Sequence, residues 1–270
     1  MSAPRHNPGH PSCGRDRSRQ GRPRKGRDRA LSVTNFRIEH WRAWAPGLDS
    51  AADWHAWQQA PFAPQDGGEQ PDVGFLPALQ RRRLSRLARM AFHVAWPLAE
   101  EHGPMPLVFA SRHGETPRTL AILSDLAHDE PLSPTQFSLS VHNAIIGLWS
   151  IQRGDTSEMT ALAAEGDGLE QALLEAATLL GEGSPSVLLI VAEETPPELY
   201  RPYIDDVPFP YAVALLLRPG AEWQLQLVEG SGPRAAWPHA LELVRALSGN
   251  VDSLQHHWKR RQWNWSRNRG

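Results

Sequence analysis

Ala163-Ala164-Glu165-Gly166-Asp167-Gly168 is a short run of small and acidic residues that separates two different hydrophobic patterns. Beyond it Leu169, Ala172, Leu173 and Ala176 recur at three- and four-residue steps, which is one face of a helix that Gly181 and Gly183 close. Val187-Leu188-Leu189-Ile190-Val191-Ala192 follows, an unbroken apolar run of strand length, as expected of a central strand covered on both faces. On the other side of the elbow, Ser157 to Ala163 reads as a further strand. Strands separated by helices of this length imply an α/β layered domain, with a mostly parallel central sheet and helices on both faces.

The same alternation extends outward. Phe36-Arg37-Ile38-Glu39-His40-Trp41 alternates as a strand, and Asp49 or Ser50 caps a helix carrying Trp54 and Trp57 on one face. Gln80 to His102 reads as one long amphipathic helix, kinked at Pro97. Pro106 to Ser111 is a short apolar strand, Thr116-Pro117 opens a helix, and Phe137 to Ile151 is helical up to Gly154. Ala212 to Leu217 repeats the buried-strand signature, Trp223 to Leu227 alternates like an edge or antiparallel strand, and Ala236 to Leu247 is the last helix. The expected organisation is a disordered basic tail over 1–32, one domain over 33–250 and a basic, Trp-rich tail over 251–270.

Composition narrows the function. Hydrophobic residues make up 40% and charged residues 21% of 270 positions, which fits a globular chain and excludes a collagen-like or wholly disordered one. The formal charge of -2 hides basic ends: once they are set aside, residues 31–257 hold 14 basic against 28 acidic residues. An acidic body argues against a nucleic-acid-binding core, and a tether through the basic ends is the weaker alternative. With no secretory apolar run and no stretch near the ~20 apolar residues of a membrane span, cytoplasm is the expected compartment. The one cysteine, Cys13, lies in the Arg-rich tail, so a buried catalytic thiol is not available.

No phosphate-binding glycine fingerprint and no G-x-S-x-G elbow is present. His256-His257 are adjacent and read as surface residues, so no metal site and no cofactor are expected. Two clusters hold groups capable of chemistry. Ser111-Arg112-His113-Gly114-Glu115 follows a buried strand, and Ser138-Leu139-Ser140-Val141-His142-Asn143-Ala144 enters an apolar helix. A small serine hydrolase or acyltransferase would use Ser111 or Ser140 with His113 or His142 and a carboxylate such as Glu115 behind the histidine. The alternative is structural, with the hydroxyls as caps and the histidines as hydrogen-bonded packing residues.

The order of motifs resembles a known family. Residues 34–218 are similar to the N-terminal half of a β-ketoacyl synthase of the thiolase fold, and most of all to the short β-ketoacyl synthase-like, N-terminal family of aryl polyene and xanthomonadin-type pigment clusters. Arg86-Leu87-Ala88-Arg89-Met90-Ala91 resembles its "R-x-x-R-x-A" helix, and Phe109 to Glu115 its strand-end motif. Ser133-Pro134-Thr135-Gln136-Phe137-Ser138-Leu139-Ser140-Val141-His142-Asn143-Ala144 resembles its longest motif, and Glu193-Glu194 the end of its "G-G-x-E" strand.

Counted back from Glu193, the resemblance places the synthase's cysteine position at or near Glu165. A carboxylate is a poor nucleophile whose acyl anhydride would hydrolyse, so covalent condensation is not expected there. The C-terminal half, which carries the decarboxylating histidines in condensing enzymes, has no counterpart in a chain of this length. The resemblance therefore implies a non-catalytic, chain-length-factor-like subunit whose partners are a full-length β-ketoacyl synthase and, through it, acyl carrier protein. Its implied contacts are Ser157 to Ala163 and Phe137 to Trp149, with Ser111, His113, Ser140, His142, Asn143, Thr160 and Glu165 as interface or pocket residues. The 11 tryptophans would serve such an interface or fill the core, the latter for Trp54, Trp57 and Trp96.

Overall fold

The computed structural model describes residues 31–269, so Cys13 and nearly all of the expected 1–32 tail lie outside the described residues. The chain opens with β1 (Ser32–Trp44), α1 (Ala51–Gln59), the single turn α2 (Ala78–Arg81) and α3 (Arg86–His102). It continues through β2 (Leu107–Ala110), α4 (Thr116–Ala127), α5 (Pro134–Ser138), α6 (Ala144–Arg153) and β3 (Met159–Leu162). After these come α7 (Gly168–Gly181), β4 (Val187–Glu193), β5 (Tyr211–Glu229), α8 (His239–Gly249), β6 (Ser253–Trp258) and β7 (Arg261–Arg267).

The strands form one sheet in the order β3-β2-β4-β5-β7-β6, with β1 also paired to β5. Side chains alternate across it. Val187, Leu189 and Val191 of β4 face a core built with α1, α7 and α8, whereas Leu188 and Ile190 face a second core built with α3 and α6. Each fully buried leucine of these layers, Leu173 and Leu215 among them, contributes roughly 1.5–3 kcal/mol. The layered α/β architecture, with helices on both faces of the sheet, is thus as expected. The expectation of a mostly parallel sheet is corrected: only β2 with β3 and β2 with β4 are parallel, and every pairing made by β1, β5, β6 and β7 is antiparallel.

Local chemistry explains where the elements start and stop. Ser50 and Asp53 form a capping box on α1, and its Trp54 and Trp57 are buried core residues. The long helix expected from Gln80 is interrupted, because the Ser85 hydroxyl accepts the Ala88 N–H at 3.0 Å and so begins a new helix there. Similarly, Phe137 to Ile151 is two helices, with Ser140 to Asn143 as the turn between them. Gly154 ends α6 in the left-handed region at φ 62°. The two strands expected at 212–217 and 223–227 are one 19-residue strand, β5. Its first part lies between β1 and β4, its last part between β1 and β7.

The largest correction concerns residues 251–270. They were expected as a tail, yet β6 and β7 form a hairpin docked on β5, with Trp263 and Trp265 fully buried. Two tryptophans spaced by two residues place both indoles on one face of a strand, and that face packs against Trp223 and Phe36.

Candidate functional site

Parallel strands β2, β3 and β4 end together, and the elbow between β3 and α7 lies at that end of the sheet. A cavity of about 260 Å³ opens there, lined among others by Ser111, Glu165, Glu193, Tyr211, His239 and Trp258. Gly166 allows it to be roofed. The Trp258 indole lies against the Gly166 backbone, and the Arg112 and Arg234 guanidinium groups stand 5.6 and 4.8 Å from its ring centroid. Both arginines are held by acids, Arg112 by Asp206 at 2.6 Å and Arg234 by Asp205 at 3.0 Å.

Glu165 faces this roof. Its carboxylate accepts the Trp258 indole N–H at 3.0 Å, an Arg261 N–H at 3.2 Å and a bond from Lys259. Hydrogen bonds from Lys259 and Trp258 hold its pKa down at about 2. The position expected to replace a nucleophile is therefore tied to the C-terminal hairpin. Next to it Asp167, fully buried, takes two bonds from Arg261 at 2.6 and 2.8 Å and one from the Trp263 indole at 3.0 Å.

Glu193 is the buried acid of the site. It accepts the Ser111 hydroxyl at 3.1 Å and the backbone N–H groups of Arg112 and His113, but burial wins and raises its pKa to about 7. Burial likewise raises Glu194 to about 7. Asp206 goes the other way: burial opposes its charge, yet His113 at 3.0 Å and Arg112 outweigh that and keep it at about 2.

The hydrolase arrangement does not assemble. Ser111 is buried, donates to Glu193 and accepts the Gly114 N–H, while Ser140 donates to the Phe137 carbonyl at 2.8 Å. His142 bonds the Ser111 backbone carbonyl at 2.7 Å, not its hydroxyl, and His113 pairs with Asp206 rather than Glu115. Glu115 instead joins Ser85 and Arg118. Among the described residues no serine hydroxyl is hydrogen-bonded to a histidine, which a triad needs.

Thr160 and Asn143 do not line the cavity. Thr160 is on β3, which ends the sheet, and its hydroxyl donates to Glu175 at 3.0 Å. Asn143 is exposed at the start of α6. Neither α4 nor α5 buries a residue, and Leu123, Leu126 and Phe137 on them are 48, 57 and 62% exposed.

The reading of His256 as a surface residue is corrected. His256 is 2% exposed, its Nδ1 lies 2.6 Å from Glu170 Oε1, and His239 Nδ1 lies 2.9 Å from Glu170 Oε2. Burial opposes the Glu170 charge, but the two imidazoles outweigh it and hold the carboxyl at about 2. Glu170, His239, His256 and Asp167 were all missed from sequence, because they converge from α7, α8 and β6. The available signal was the i, i+2 spacing of Trp263 and Trp265, which marks the terminal segment as strand.

Known proteins match this chain over most of its length. The profile of the β-ketoacyl synthase, N-terminal domain family covers residues 54–266. A chain from the complex of the ketosynthase ApeO with its chain length factor ApeC, of Xenorhabdus doucetiae, is 33% identical with a TM-score of 0.78, over 86% of this chain and 99% of that one. A chain from the complex of the type II acyl-carrier protein with its ketosynthase bound to the hexaketide (AntDE:AntF) matches at TM-score 0.61 and 10% identity, over 88% of this chain and 100% of that one. A β-ketoacyl synthase from Burkholderia phymatum matches at 0.56 and 13%, over 81 and 71%. These last two show the fold alone. No curated protein sequence matches. Profile and identity agree, and the chain belongs to the β-ketoacyl synthase, N-terminal domain family.

Proposed function

We propose that this chain is a non-catalytic, chain-length-factor-like subunit that pairs with an active β-ketoacyl synthase and helps to set chain length on acyl carrier protein, in aryl polyene or related polyketide biosynthesis. The observation that carries the reading is the junction of β3 and α7. There β3 ends the sheet with one side unpaired, and the elbow that follows it presents Glu165, already bound by Lys259, Trp258 and Arg261, where condensation would need a thiol. An open strand edge is a template for pairing with a second chain. The unburied apolar side chains of α4 and α5 supply the kind of surface that protein partners cover. A solved relative that is a ketosynthase in complex with its chain length factor supports the same pairing. The proposal places the pair in the cytoplasm; among the described residues no helix is long and apolar enough to cross a membrane.

Co-expression with a full-length β-ketoacyl synthase of the aryl polyene type tests the proposal. Stoichiometric co-purification is expected, together with no self-acylation and no CO₂ release from malonyl-acyl carrier protein by the chain alone. Recovery as a stable monomer that does not bind the synthase, or acylation of the isolated chain, would overturn it.

A further inference from the structure

The open edge of β3 is bordered by a groove distinct from the cavity under Trp258. It encloses about 560 Å³, and its walls include Leu162 and Ala163 at the end of the strand and Leu174, Glu175 and Thr178 of α7. Ala172, Leu173 and Ala176 turn the inner face of α7 into the core. The stripe at 171, 174, 175 and 178 shares the other face and stays half-buried or exposed beside the strand edge. Thr160 also points to this side, since its hydroxyl donates to Glu175 Oε1 at 3.0 Å, whereas Met159 and Ala161 turn to the opposite core.

Three carboxylates line the groove, and their surroundings differ. Glu165 is neutralised by Lys259 and Arg261, and Asp167 by Arg261. Glu175 has the Thr160 hydroxyl, and among the described residues no cation pairs with it. A chain that adds a strand to β3 must cover this uncompensated charge, and covering an unpaired carboxylate is costly. A partner with a lysine or arginine at the facing position offsets that cost.

A second copy of this chain doubles it instead. Two copies pairing edge to edge do so about a two-fold axis. An axis perpendicular to the sheet keeps both α7 helices on one face, and alternation then sets Thr160 opposite Thr160 or Leu162 of the second copy. Each Glu175 is tied to its own Thr160, so the two carboxylates stand within roughly 10 Å of each other, about one Debye length at 0.1 M salt. Like charges so placed oppose the pairing.

We propose that Glu175 makes this edge selective: the groove accepts a synthase surface that brings a lysine or arginine over Glu175, and it rejects a second copy of this chain. This selectivity presupposes the pairing proposed above.

The test uses the purified full chain and the synthase of the co-expression experiment, with affinity measured by calorimetry at low and high salt. Glu175→Gln keeps the shape and the Thr160 bond; it should weaken binding at low salt about tenfold or more and flatten the dependence on salt. Self-association of the same variant, followed by sedimentation velocity, should tighten about two- to fivefold. Thr160→Val removes the hydrogen bond but keeps the charge, so it should retain the wild-type salt dependence, which a merely structural role of the pair would not distinguish. Unchanged affinity and salt dependence in Glu175→Gln, equal self-association of variant and wild type, or salt-insensitive binding by the wild type would overturn the selectivity and leave the pairing standing. A wild-type chain that binds no synthase would overturn both.

Discussion

Trp258 rests on Gly166: a Cβ built at Gly166 would lie 2.2 Å from Cζ3 of the indole. The contact joins the elbow to the C-terminal hairpin at the point where Glu165 also receives the indole N–H. Gly166→Ala should therefore force the hairpin off the elbow, at a cost of about 1–3 kcal/mol typical of overpacking. Chemical denaturation with tryptophan fluorescence measures this. Trp258→Ala removes the clashing ring, so the double variant should be no less stable than Trp258→Ala alone; additive losses would show that the contact is not the cause.

Glu193 and Glu194 should contribute most to the pH dependence of stability near neutral pH. Burial raises both to about 7, and around Glu193 the facing groups are Ser111, Arg112, His113 and Tyr211. A raised carboxyl stabilises the fold while protonated, fully so below its ordinary 4.5, and that contribution is lost as pH rises through about 7. Glu165 and Asp206, held near 2, have the opposite sign but are fully ionised above about pH 5, where their contribution is constant. Melting temperature should fall between pH 5 and pH 8. Glu193→Gln should flatten that fall by an amount on the order of 3 kcal/mol. A profile in which Glu193→Gln parallels the wild type would refute the assignment.

Ala161 probes the open edge. The Glu158 carbonyl just before β3 and the Leu162 carbonyl at its end accept the Leu107 and Ser111 N–H groups, so by strand alternation the Ala161 N–H points away from the sheet. Ala161→Pro removes that outward donor and should leave circular dichroism near native while abolishing co-purification with the synthase. Retained co-purification would mean that the partner does not pair on β3.

Trp265 tests the hairpin as part of the core. It is fully buried against Phe36 and Trp223, so Trp265→Ala should cost about 3–5 kcal/mol in urea unfolding. Removal of residues 251–270, harmless for a tail, should leave the chain insoluble or largely unfolded.

Much of the fold is written in local periodicity. The buried run at 187–192 and the three- and four-residue spacing of α7 are visible without partners, as is the Trp54 and Trp57 face of α1. The hairpin at 253–267 was hidden because four cationic residues, Lys259, Arg260, Arg261 and Arg267, fall within a short span, and charge outweighed the i, i+2 tryptophan pattern. Strand direction was illegible for another reason: β5 reverses the sheet, and nothing local records which way a buried apolar run points. The Glu170, His239 and His256 contact joins residues 69 and 86 positions apart, a separation over which a single sequence carries no spacing rule.

The pairing of β1 with β5 has a consequence for how the chain is made. Trp44 finds Ala212 and Ser32 finds Leu227, so the first strand has no neighbour until three quarters of the polypeptide has been synthesised. At the ~5–20 residues per second of translation, β1 waits on the order of ten seconds or longer beside the ribosome, alternating and apolar on one side. Such long-range pairing is slow to form and exposes an unprotected strand meanwhile. Production of this protein should accordingly be more sensitive to chaperone supply and growth temperature than to the stability of the finished fold.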